Sequence, residues 1–169
     1  MAYPRANAGD DPSNTVPAGL NFFTVRLADR SATTLVDHID LLRDTLRQVK
    51  ALHPFEIVAM VVLPDHLHAI WQLPEQDQEG RLRWNLIQRG FARALDPGEP
   101  VRLSRRISRA RGLWQQRHWQ LPIGHPDELL QRIEYIHSNP VKHGYVDHAE
   151  QWPYSSVHRF LQAQRIRPL

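Results

Sequence analysis

The apolar residues change period several times along the 169-residue chain, and each change marks an element. Residues 20–27 (LNFFTVRL) alternate with period two, with Phe22, Thr24 and Arg26 on one face and Phe23, Val25 and Leu27 on the other, the pattern of a strand. Over residues 33–52, Leu35, Ile39, Leu42, Leu46 and Val49 recur every three or four positions and make the stripe of one helix. Residues 55–63 (FEIVAMVVL) are almost wholly apolar, as a strand inside a sheet requires, and 67–73 (LHAIWQL) follow after a Pro64-Asp65 turn. Residues 80–95 predict a second helix, closed by Asp96-Pro97-Gly98. Residues 113–123 predict a fourth extended segment, and 126–138 a third helix that Pro140 stops.

This order is β-α-β-β-α-β-α, which predicts an α+β, ferredoxin-like β-α-β-β-α-β fold with an additional C-terminal helix. Residues 1–19, rich in Pro and Gly, read as a mobile N-terminal tail. Residues 20–161 then form one domain, irregular from 144 and ending in a short helix, and 162–169 a C-terminal tail. Because this fold hosts unrelated activities, function has to come from the site.

Composition removes several classes of chemistry. The chain has no cysteine, hence no disulfide, thiolate nucleophile or thiolate-bound metal. No apolar run reaches membrane-spanning length and the first twenty residues do not resemble a signal peptide, so a cytoplasmic protein without membrane contact is expected. Charge is unevenly placed: residues 1–100 carry 10 basic and 13 acidic side chains, and 101–169 carry 11 and 5. Arg102, Arg105, Arg106, Arg109 and Arg111 fall within ten residues that hold no acid, followed by Trp114, Arg117 and Trp119. Arginine neutralises phosphates and aromatic faces receive unpaired bases, so this mixture suits a single-stranded nucleic acid; a solvated loop beside core tryptophans is the alternative.

Two smaller patterns carry chemistry. His66 and His68 lie two apart at the start of the third strand, so both imidazoles share a face and can hold one divalent cation with positions left for substrate oxygen; a pair of ordinary surface histidines in a chain that has ten is the alternative. In the third helix Leu129, Ile133 and Ile136 form the apolar stripe, which puts Tyr135 on the opposite side, between Gln131 and Asn139 at steps of four; the alternative is an amphipathic surface tyrosine, with Asn139 a helix-end residue before Pro140. A phenol is a poor nucleophile at neutral pH, but it can attack phosphorus when a metal neutralises the phosphate. The resulting phosphotyrosine ester conserves the energy of the broken phosphodiester, so religation needs no nucleotide cofactor, and the chain has no GxxxxGK phosphate loop. Such a site should lose activity below about pH 6, as imidazoles near their reference pKa of about 6.5 protonate.

The segments LNFFTVRLADR (20–30), VVLPDHLHAIWQLPE (61–75), LWQQRHW (113–119), YIHSNPVKHGYV (135–146) and QWPYSSVHRF (151–160) resemble the REP-associated tyrosine transposases, single-tyrosine relatives within the HUH endonuclease superfamily. The resemblance spans about residues 19–161 in order. It implies a ferredoxin-like enzyme that nicks and transfers single-stranded DNA beside hairpins of palindromic repeats, using Mg²⁺ or Mn²⁺. It makes His66 and His68 the metal ligands, Asn139 the residue that completes the metal site, and Tyr135 the nucleophile that takes the 5′-phosphate and frees a 3′-OH. The chain departs from the family pattern at Gln120 and Leu121, and Tyr145 supplies a second phenol where leucine is usual. The reading of another class is a non-catalytic hairpin DNA- or RNA-binding protein on a related sheet, but no RNP1-like aromatic pattern occurs.

Overall fold

The computed structural model describes residues 16–77, 79–95, 112–115 and 119–165. Its strands are β1 (Leu20–Arg26), β2 (Glu56–Val62), β3 (His66–Gln72) and β4 (Trp119–Pro122), all antiparallel in the order β2-β3-β1-β4. The helices are α1 (Thr34–Asp37), α2 (Ile39–Leu52), α3 (Gly80–Leu95), α4 (Pro126–Lys142) and α5 (Val157–Arg165). The expected ferredoxin-like α+β architecture is present. No described helix is long and apolar enough to cross a membrane.

Two cores lie on opposite faces of the sheet. Phe23, Val25, Leu67, Ala69 and Trp71 turn to one side and pack with Leu42, Leu46 and Val49 of α2 and Trp84, Ile87 and Phe91 of α3. Phe22, Ile70 and Val61 turn to the other and pack under Ile136 of α4, with Leu129 and Ile133 at its edge. A register shift between Ile57 and Ala59 changes which residues of β2 face each core. Arg83 of α3 is fully buried among apolar groups, and its guanidinium donates to the carbonyls of His53, Pro54 and Glu79 and to both oxygens of Asp77. It thereby ties the loops before β2 and after β3 to one helix. At the start of α3, a Cβ on Gly80 would stand 2.8 Å from Phe23 Cζ, so this close approach of helix to sheet needs glycine.

Several boundaries differ from those read in the sequence. The first helix is two, with a break at His38. The extended segment expected over 113–123 is shorter: β4 holds four residues, while Trp114 makes an isolated bridge to Leu27. Helix α4 does not stop before Pro140 but continues to Lys142. Proline keeps a helical φ and lacks only the N–H that would bond to Ile136, and burial of Asn139 and Pro140 against the sheet holds the last turn in place. That turn closes through His143 N–H donating to the Asn139 carbonyl at 3.0 Å. Of the expected N-terminal tail, residues 16–19 are described and are anchored: Leu73 N–H donates to the Gly19 carbonyl and Val16 packs on the second core. At the other end α5 continues past residue 161 to Arg165.

Candidate active site

β3 is central in the sheet, and its alternation sends Leu67, Ala69 and Trp71 into one core while His66, His68 and Ile70 face α4. Both imidazoles are buried, with ring centroids 5.1 Å apart and planes at 85°. His66 Nδ1 lies 2.7 Å from Asp65 Oδ1, and Arg30 holds Asp65 Oδ2 at 2.9 Å. A carboxylate only accepts, so the proton sits on Nδ1 and the Nε2 lone pair of His66 is free. His68 Nδ1 lies 2.8 Å from Thr24 Oγ1, the residue opposite it on β1. With Thr24 accepting, His68 also keeps a bare Nε2.

Burial pushes both histidines below the ordinary imidazole range. His68 falls to about 3, driven by desolvation and then by the charges of His66, Arg26, His143 and Arg30. His66 is lowered by burial against the opposing pull of the Asp65 hydrogen bond. The expectation that these groups protonate near pH 6 is therefore corrected: desolvation keeps His68 neutral well below that pH.

Helix α4 lies across this face. The Tyr135 ring meets His68 edge-on at 5.1 Å and Phe22 at 6.1 Å, and Lys142 Nζ lies 4.7 Å from its centroid. Tyr135 is thus not opposite the packed side, as the apolar stripe alone suggested. The buried face runs through Ile136 and Asn139, and Tyr135 lies on its flank, 36% exposed. One turn on, Asn139 is 1% exposed; its Nδ2 makes only a long 3.5 Å contact with the Tyr135 carbonyl, and its Oδ1 is enclosed with no partner. Leaving a buried amide oxygen unpaired costs about 1–3 kcal/mol, so this atom is poised for a ligand.

Among the described residues no three His, Cys, Asp or Glu side chains are grouped to hold a metal. Two neutral imidazoles and the orphaned amide oxygen of Asn139 do fit a divalent cation that keeps positions open for phosphate oxygen or water.

Other candidates separate. Trp114 does not offer an exposed face for bases: it is 3% exposed, packs on Phe91 at 5.7 Å and donates from Nε1 to the Gln88 carbonyl. An aromatic next to a basic run looks alike in sequence whether it faces solvent or core. Trp119, at 65% exposure, is the open tryptophan, and its backbone partner on β1 is Thr24. Gln120 donates to Asn21 Oδ1 across the β1–β4 pair. Arg102, Arg105, Arg106, Arg109, Arg111 and Arg117 lie outside the described residues. Tyr145 is stacked between His143 and Trp152, and burial raises its pKa, so it is less readily ionised than an ordinary phenol.

Two site residues escaped the sequence reading. In the sequence Asp65 reads only as a turn residue, although a carboxylate directly preceding a candidate ligand is the available signal. His143 lies 5.1 Å from His66 and continues the series 131, 135, 139 by another four residues. Ending the helix at Pro140 hid that step.

The same arrangement of elements occurs in known proteins. A Haemophilus influenzae protein named as a REP-associated tyrosine transposase is 41% identical over 148 residues, covering 86% of this chain and 84% of that protein. The REP-associated tyrosine transposase of Escherichia coli K12 is 37% identical over 144 residues, covering 85% of this chain and 79% of its own length. The chain belongs to this family. A solved REP-associated tyrosine transposase bound to a REP hairpin superposes with a TM-score of 0.76 at 34% identity, over 99% of this chain and 89% of that one. No family model matches the chain. As a member of the REP-associated tyrosine transposases, the protein is a transposase-type enzyme.

Proposed function

We propose that the protein nicks single-stranded DNA beside a hairpin of a palindromic repeat, holds the cut end as a 5′-phosphotyrosine ester and transfers it to another strand. The observation that carries this reading is the 5.1 Å edge contact of Tyr135 with His68, inside a set that also holds His66 and the unpaired Asn139 Oδ1. Binding of a REP hairpin by the related solved protein supports hairpin DNA as the partner.

Held by His66, His68 and Asn139, Mg²⁺ or Mn²⁺ would supply charge neutralisation at the phosphate. Asp65 and Thr24 hold the two imidazoles in the tautomer and orientation that ligation requires. Tyr135 Oη gives its proton to solvent and bonds to phosphorus; the bond to the 3′-oxygen breaks, and that oxygen takes a proton from water. A strand 3′-OH attacking the tyrosyl ester reverses these changes and joins DNA without a nucleotide cofactor. The arginine-rich segment 102–117 neutralises the backbone of the bound strand.

A labelled hairpin oligonucleotide incubated with Mn²⁺ is expected to leave a protein–DNA adduct that survives boiling in detergent. Tyr135→Phe and EDTA should each abolish the adduct while hairpin binding by Tyr135→Phe stays nearly intact. Hairpin binding without an adduct from the unaltered protein would establish the non-catalytic binding reading instead.

A further inference from the structure

Three arginines of this chain illustrate how a guanidinium is normally accommodated and where one is not. Arg83, fully buried, has Nε, NH1 and NH2 all donating to acceptors. Arg30 is paired with Asp65. Arg26, half-buried at the end of β1, has its Nε enclosed with no acceptor. The carboxylate of this site, Asp65, is already taken by Arg30 and His66.

The register of the sheet places Arg26. It stands directly opposite His66 in the β1–β3 pair, and period-two alternation puts it on the face of Thr24, His66 and His68. A cation that is partly removed from water beside neutral imidazoles is destabilising until an anion arrives. The guanidinium fork suits two oxygens of a phosphodiester.

We propose that Arg26 binds the non-bridging oxygens of the scissile phosphodiester, making it a substrate-binding residue of the same site. The assignment to the scissile phosphate rests on the nicking reading, but the contact itself can be tested without cleavage. In a Tyr135→Phe background, single methylphosphonate linkages, which remove one phosphate charge each, are walked through the unpaired flank of a hairpin oligonucleotide. With Arg26 present, one position should weaken binding about 10- to 100-fold, the range for a hydrogen bond to a charged group. With Arg26→Gln, that same replacement should change affinity less than twofold. Arg26→Lys keeps the charge and should retain part of the discrimination, which guards against loss of fold in the glutamine variant. The sensitive position should coincide with the cut made by the protein with Tyr135 intact.

Equal sensitivity in Arg26 and Arg26→Gln proteins at every position would overturn the proposal. A sensitive position that depends on Arg26 but lies away from the cut would overturn its assignment to the scissile phosphate. Failure of the Tyr135 protein to form any adduct, with the Arg26-dependent position present, would overturn the nicking reading and leave the phosphate contact standing.

Discussion

Keeping His68 neutral has a thermodynamic consequence. Its folded pKa of about 3 lies below the 6.5 of an unperturbed imidazole, so below pH 6.5 the unfolded chain binds a proton that the folded chain does not. The contribution is fully present above 6.5 and is lost as pH falls, at about 1.4 kcal/mol for each pH unit once the unfolded imidazole is charged. Between pH 7 and pH 5, His68 alone should therefore remove about 2 kcal/mol of stability. His66 and His137, both lowered by burial, act in the same direction. Urea unfolding in EDTA at the two pH values, for the wild type and for His68→Gln, isolates the term: glutamine cannot titrate, so the variant should lose about 2 kcal/mol less than the wild type over the interval. Equal losses in the two proteins would refute the claim that His68 is held neutral by burial.

Asp65→Asn should weaken Mn²⁺ binding about 10- to 100-fold by calorimetry, because His66 loses the carboxylate that sets its tautomer; unchanged affinity would remove His66 from the ligand set. Arg83→Met should cost about 3 kcal/mol in chemical unfolding, at the low end for a buried pair because water can reach the half-exposed Asp77; a stability change under 1 kcal/mol would show that the buried guanidinium is dispensable. Gly80→Ala gains at most about 1 kcal/mol of helix propensity but forces Phe23 aside, an overpacking cost of about 1–3 kcal/mol, so the melting temperature should fall, and a rise would contradict the close approach. Replacing Arg105 and Arg106 by glutamine should flatten the slope of log affinity against log salt by about 1.4 for a single strand, with little change in preference for the cognate hairpin; a lost preference at constant slope would make these arginines base readers.

Period alone settled much of this protein. Alternation puts His66 and His68 on one face of β3 with Trp71 on the other, and Thr24 on the face of β1 opposite Phe23, whatever packs above them; the strand register then joins Thr24 to the histidines. The order of elements likewise leads to one antiparallel four-stranded sheet, because short connections and crossover helices leave few alternatives. What period could not supply was the identity of polar residues that turn inward. The apolar stripe of α4 points to Leu129, Ile133 and Ile136, yet the helix is seated by Ile136 and Asn139, which brings Tyr135 to the histidines. Pro140 is a helix breaker by propensity, but burial against the sheet outweighs one missing hydrogen bond and carries the helix on to Lys142 beside Tyr135 and to His143 beside His66. The roles of Asp65, Asn139 and Trp114 depend on which groups desolvate them, and desolvation is a property of the assembled layers, so only the tertiary structure could decide it.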